Sequence, residues 1–327
     1  MRRRELLILI ATAACPETVV AQQERPTRRV GVLTGNIETD PDAQRRVQAF
    51  KKGLADLGWT EGRNLHIEVR WPGPDVARQQ MYARELVALA PDVILATSTP
   101  TTRALKDATQ TIPVVFVGLS DPVATGIVSN IARPEANVTG FMLYEHSLAG
   151  KWLTLLKDMS PALKRVAGLF NPQTTPYASF YIRSAQEVGE RFGVSISGAS
   201  VTSVAEIDLV LSTMEGSDGG LMVLPDGGFV AANSASLIAL ATKYRVPAIF
   251  AVRFYAVNGG LMSYGADLTL QFRDGATYVD QILRGAKPAE LPIRFAAKFD
   301  LVINVKAADA LGLKVPRHLM VGAEMVR

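Results

Sequence analysis

The sequence is poor in the residues that most often carry chemistry. It holds one cysteine, Cys15, and three histidines, His66, His146 and His318, in 327 residues. A disulfide scaffold is excluded, and so is any metal centre built from thiolates or from paired histidines, because no histidine has a second one at ligand spacing. The Walker phosphate loop, the Gly-x-Gly-x-x-Gly dinucleotide fingerprint and the Gly-x-Ser-x-Gly nucleophile turn are all missing. An excess of one charge is missing too. Lys and Arg number 35 against 31 Asp and Glu, spread along the chain without the basic cluster a nucleic acid would require. No apolar run reaches the roughly 20 residues of a membrane-crossing helix.

What is present begins with an address. Arg2, Arg3 and Arg4 precede an apolar stretch from 6 to 14, and Val19, Val20 and Ala21 end it with small residues suited to a signal peptidase. Residues 1–21 therefore read as a signal peptide cleaved near Ala21, exported by the general or the twin-arginine route. The expected destination is the periplasm. Thr12-Ala13-Ala14-Cys15 makes a poor lipoprotein box, so lipid anchoring at Cys15 is the less favoured reading. Without that segment no cysteine remains, and thiol catalysis is excluded.

From residue 28 onward, short β-rich runs at 30–34, 65–70, 93–97, 114–117 and 138–143 alternate with amphipathic stretches such as 43–57 and 79–90. That alternation predicts βαβ units around a parallel sheet. The pattern then restarts: 29–36 is echoed by 165–172, 92–98 by 220–226, and 112–117 by 246–251. Three echoes in one order predict two lobes of like topology. The expected fold is α/β, two doubly wound parallel-sheet lobes joined by a multi-crossover hinge. Lobe 1 is expected at 28–141 plus 261–293, and lobe 2 at 142–260 plus 294–327.

In open parallel sheets, ligands bind beyond the carboxyl ends of the strands. Thr34, Thr97, Ser98, Thr99, Ser120, Asp121, Asn171 and Asp226 follow such ends and are candidate ligand-binding residues. The run 97–101 is rich in hydroxyls at a helix start and suits a carboxylate or small anion, although plain N-capping accounts for it equally. Arg253 offers a bidentate donor to a carboxylate or a surface ion pair, and Tyr144 and Tyr264 are candidate aromatic clamps. Replacing Ser98 and Thr99 together by Ala is expected to weaken ligand binding by about 1–3 kcal/mol with the fold intact. An Asp121/Asp226 acid–base pair is the enzymatic alternative.

The chain also resembles the ABC transporter substrate-binding family that includes tryptophan-binding members. The resemblance rests on Arg-Arg-Val-Gly-Val-Leu at 28–33, Gly-Leu-Ala-Asp-Leu-Gly-Trp-Thr-Glu-Gly-Arg-Asn at 53–64, Pro-Asp-Val-Ile-Leu-Ala at 91–96 and Ser-Asp-Pro-Val at 120–123. It continues through Leu-Phe-Asn-Pro at 169–172, Gly-Gly-Leu-Met-Ser-Tyr-Gly at 259–265 and Asp-Ala-Leu-Gly at 309–312. It implies a type I periplasmic binding protein: a monomeric, cofactor-free receptor that closes on a small ligand, an amino acid or other small carboxylate, and presents it to an inner-membrane ABC permease. A sensory module with the same lobes is the alternative. By the same resemblance the ligand lies against 97–99, Ser120, Asp121, Asn171, Asp226 and Tyr264.

Overall fold

The computed structural model describes residues 27–134, 136–216, 218–226, 228–296 and 298–327. The expected signal peptide and Cys15 lie outside the described residues. In chain order the first half contains β1 (Arg28–Leu33), α1 (Pro41–Asp56), β2 (Leu65–Arg70), α2 (Val76–Ala88), β3 (Val93–Ala96), α3 (Thr99–Ala108), β4 (Val114–Ser120) and β5 (Val138–Tyr144). There follow α4 (Leu148–Met159), β6 (Arg165–Phe170), α5 (Ala178–Phe192), β7 (Ser195–Ser200), α6 (Val204–Thr213), β8 (Gly219–Val223), α7 (Phe229–Ala232), α8 (Ser234–Lys243), β9 (Ala248–Phe250) and α9 (Arg253–Val257). The chain closes with β10 (Met262–Ala266), α10 (Leu268–Leu283), β11 (Arg294–Phe295), β12 (Phe299–Asn304), α11 (Val305–Ala310), α12 (Arg317–Met320) and β13 (Ala323–Val326).

These elements form two sheets, ordered β11-β5-β4-β3-β1-β2 and β13-β12-β10-β9-β8-β6-β7. Within them, β4-β3-β1-β2 and β9-β8-β6-β7 have the same order, so the three sequence echoes fall on topologically equivalent strands. All strand pairs are parallel except β10 with β12. Central strands are apolar on both faces, as a sheet covered by helices on both sides demands: every residue of β3 and β5 is buried. In the first lobe, Phe50, Leu54, Phe272 and Tyr278 pack on one face of the sheet, and Leu86, Leu105, Ile94 and Phe116 on the other. Helices α1 and α10 cross closely, since a Cβ on Gly53 would stand 2.8 Å from that of Ala276.

The chain passes between sheets three times: between β5 and α4, at Asp267 between β10 and α10, and between β11 and β12. These crossings differ from the expected boundaries. Strand β5 runs on to Tyr144 within the first sheet, β10 belongs to the second, and β11 returns to the first. The expectation gave 261–293 to the first lobe as one further βα unit. In the fold, Met262 and Ala266 pack in the second lobe's core and β10 fills the slot between β9 and β12. Pairing partners decide lobe membership, and local composition does not record them.

Candidate functional site

The loops at the strand ends converge on a cavity of about 300 Å³ between the lobes. Helix capping fixes its first-lobe wall. Asp40 caps α1, its Oδ1 accepting the N–H groups of Asp42 and Ala43 at 2.9 and 3.2 Å and its Oδ2 the Asn36 amide at 3.0 Å. Ser98 caps α3 in a reciprocal arrangement with Thr101: the Ser98 N–H donates to Thr101 Oγ1 at 3.1 Å, and the two hydroxyls lie 2.9 Å apart. Thr97 Oγ1 accepts the Gly35 N–H at 3.2 Å. Thr99 is different. Its Oγ1 is buried with no hydrogen-bond partner, and as the first residue of α3 its N–H has no intrahelical acceptor.

Arg46 lines the same wall. It lies on α1 beside Ala43, Val47 and Phe50, the helix face that carries the core. Among the described residues its guanidinium makes no hydrogen bond and no ion pair. It is half-buried. Burial pushes its pKa down, with the Asp40 charge pulling the other way.

The second-lobe wall is organised around Asp226. Its Oδ1 accepts the Gly228 N–H at 2.5 Å, and its Oδ2 accepts the Val230 N–H at 3.1 Å and the Thr174 hydroxyl at 2.9 Å. Burial raises the carboxyl above its ordinary range against the pull of those donors. The Tyr177 phenol donates to Pro225 O at 2.7 Å and is pushed up by burial and by the Asp226 charge. Tyr255 stacks on Phe250 with centroids 4.6 Å apart, and its hydroxyl has no partner among the described residues. Burial raises that phenol, as does Asp226, while Arg46 lowers it. Tyr144 donates its phenol across the lobes to Ala251 O. Ile37, Pro74, Leu268, Phe272, Val252 and Phe254 supply apolar lining.

Of the residues chosen from sequence, Thr97, Ser98, Thr99, Ser120, Tyr144 and Asp226 reach the cavity, and five do not. Thr34 is buried and donates to Asn36 O at 3.1 Å, which shapes its own loop. Asp121 adopts a left-handed φ of 37°, accepts the Ala124 N–H at 2.9 Å and pairs with His146 Nδ1 at 2.8 Å. It does not face Asp226 across the cavity, so the acid–base pair is not assembled. Asn171 is buried, its amide donating to Val201 O at 2.9 Å. Arg253 forms a bidentate pair with Glu324, and Tyr264 stacks on Phe299 at 5.9 Å. Arg46, Thr174, Tyr177 and Tyr255 were not among the candidates. For Arg46 a signal exists: a cation interrupting the apolar stripe of a helix that follows the first strand. Among the described residues, no cluster of His, Cys, Asp and Glu suits a metal ion, and no helix is long and apolar enough to cross a membrane.

Two α/β lobes linked by three crossings, with a small cavity between them, define a solute-binding protein of the type I periplasmic class. The chain belongs to the ABC transporter substrate-binding protein family, whose model matches residues 30–327. It is similar to a tyrosine-binding protein of Clostridioides difficile, 23% identical over 275 residues that cover 84% of this chain and 78% of that protein. Among solved structures it superposes on a conserved domain protein of Vibrio cholerae with a TM-score of 0.84 and 28% identity, covering 92% of this chain and all of the other. A Streptococcus pneumoniae domain in complex with L-Trp gives 0.82 at 23% identity, with the same coverage.

Proposed function

We propose that the protein is an extracytoplasmic receptor, exported by residues 1–21, that encloses a small carboxylate-bearing ligand of the amino-acid class and delivers it as a monomer to an ABC importer. The observation that carries this reading is the unpartnered Arg46 facing a cavity of about 300 Å³ between two lobes. That volume stands at the lower end of small-molecule sites and suits one compact solute rather than an oligomer. An enclosed guanidinium without a hydrogen-bonded carboxylate is costly, and a ligand carboxylate removes the cost. The similarity to proteins described as tyrosine-binding and complexed with L-Trp supports the same ligand class.

Closure around a ligand couples affinity to conformation. Small-angle scattering and thermal unfolding of the purified protein with a panel of amino acids and small carboxylates test the proposal. A binder at 100 times its Kd stabilises by about 2.7 kcal/mol, a rise of several degrees, and compacts the molecule. Consumption of the compound with release of a product, or no compaction with any compound, overturns it.

A further inference from the structure

We propose that the protein carries a second binding site, for a small amphipathic carboxylate, in a groove of the second lobe behind the loop 171–177 whose other face forms the cleft wall. The loop is two-sided. Thr174 donates its hydroxyl to Asp226 and Tyr177 donates to Pro225 O, so both turn toward the cleft. Thr175, beside Thr174, does not line the cleft. It lines a separate groove of about 430 Å³ between this loop, helix α5 and the strands β6 and β7. The residue is 1% exposed, and its Oγ1 has no hydrogen-bond partner. A buried hydroxyl in that state carries a penalty that an acceptor placed in the groove removes.

The other groups at the groove agree on the sign of the ligand. Helix α5, 15 residues long, begins at Ala178 without a side-chain cap, and the Ser179 N–H has no acceptor among the described residues. Its aligned peptide dipoles put a partial positive charge at that end. Arg183, exposed and one turn further along α5, lines the same groove and makes no hydrogen bond or ion pair among the described residues. No acidic side chain lines it. Hydroxyl, amide and guanidinium are all donors, so the ligand they suit is an anion. The floor asks for something more, because it is formed by the half-buried side chains of Phe170 and Ile182. Gly198 of β7 leaves that floor uncovered. Its φ is outside the left-handed region, and a Cβ there would meet only Phe170 Cε1 at 3.5 Å and Ile182 Cγ1 at 3.8 Å, which are ordinary contacts. Neither backbone nor packing demands glycine at 198, whereas an open groove does. The volume falls in the range of small-molecule sites. A carboxylate with a short alkyl or aromatic body meets both halves; a bare anion leaves the floor wet, and a neutral alcohol leaves the positive end uncompensated.

The test is titration of the purified, isotope-labelled protein with hexanoate, acetate and 1-hexanol, read by the amide chemical shifts. Hexanoate should move the Ser179 and Gly198 amides saturably, and acetate and 1-hexanol should each bind there roughly tenfold or more weakly. Gly198→Val fills the groove and should abolish the response. Arg183→Gln, on an exposed position that leaves the fold alone, should weaken hexanoate roughly tenfold. Thr175→Val keeps the shape of the side chain and should weaken it severalfold. No movement at Ser179 up to about 10 mM hexanoate, ten times a millimolar Kd, overturns the site. So does movement confined to amides of the cleft, such as those of Thr99 and Gly228, or a groove response that survives in Gly198→Val. Acetate or 1-hexanol binding as well as hexanoate overturns the ligand class, and an unchanged affinity in Arg183→Gln removes the guanidinium from it.

Discussion

The two walls of the cleft are built on opposite principles. The first lobe presents donors it does not use: the Arg46 guanidinium and the Thr99 hydroxyl have no acceptor. On its side of the cleft the second lobe ties down its polar groups apart from the Tyr255 hydroxyl, holding Asp226 by three donors and the Tyr177 phenol on Pro225 O. Idle enclosed donors raise the free energy of the empty protein, whereas satisfied groups do not. The difference assigns roles. On the receptor reading proposed above, the first lobe gains most from a ligand and is the natural site of first contact, and the second is a preorganised cover whose shape is set before the ligand arrives.

If the second lobe is preorganised, the side chains that brace it to the crossings should matter most. Trp152 on α4 stacks on Tyr181 with centroids 5.7 Å apart, meets Tyr144 edge-on at the same separation, and donates its Nε1–H to Tyr264 O at 2.7 Å. Tyr144 and Tyr264 lie just ahead of the first and second crossings. Trp152→Ala should cost about 3–5 kcal/mol in denaturant unfolding, the range for a large buried aromatic. Phe50→Ala in the first lobe's core should cost a similar amount. Only the Trp152 variant should change the inter-lobe geometry seen by small-angle scattering. Equal effects on geometry would erase the distinction between a braced cover and a free-standing base.

A smaller effect separates the walls by pH. Burial lifts Asp226 above the ordinary aspartate value of 3.8. Between that value and the raised one, the folded protein holds a proton that the unfolded chain has released. Stability therefore falls as pH rises through this window and is level above it. Asp226→Asn removes the titration, so the stability of the variant relative to wild type should climb with pH across the window and then stay constant. Melting curves of the two proteins at a series of pH values from about 4 upward read that slope. A difference between the two proteins that does not vary with pH would mean that Asp226 titrates as an ordinary aspartate.

Much of this arrangement was legible in the residues. Strand and helix alternation showed in β1 to β5, because parallel strands buried on both faces leave unbroken apolar runs. The repeat showed because β1, β3 and β4 and their counterparts β6, β8 and β9 carry matching side chains. Sheet membership of β10 and β11 was not legible, since it depends on which distant strand offers an open edge. At the site, residues just after the strands were legible by position alone, which found Ser98, Thr99, Ser120 and Asp226. The same rule also chose Asn171 and Thr34, whose side chains are absorbed by their own loops. Arg253 pairs with Glu324, 71 residues further along the chain, a contact no local pattern announces. Arg46 and Tyr255 sit on helices, where a charged or aromatic residue reads as ordinary until a cavity is seen beside it.

The finest test lies within the first wall, between two adjacent hydroxyls that position in the sequence does not distinguish. Ser98 closes a reciprocal cap with Thr101, so its hydroxyl belongs to the fold as much as to the cavity. The expectation that Ser98→Ala and Thr99→Ala together spare the fold is thereby revised. Ser98→Ala should destabilise the protein by about 1 kcal/mol, the usual cost of a lost N-cap. Thr99→Val keeps the shape of the side chain and removes a buried hydroxyl that has no partner. It should therefore leave the melting temperature unchanged or slightly raised. Ligand binding should divide the other way, with Thr99→Val weakening it because the hydroxyl held in reserve is the one lost. If Thr99→Val instead destabilises the protein and leaves binding untouched, its hydroxyl serves the fold, and Arg46 alone separates the first wall from the second.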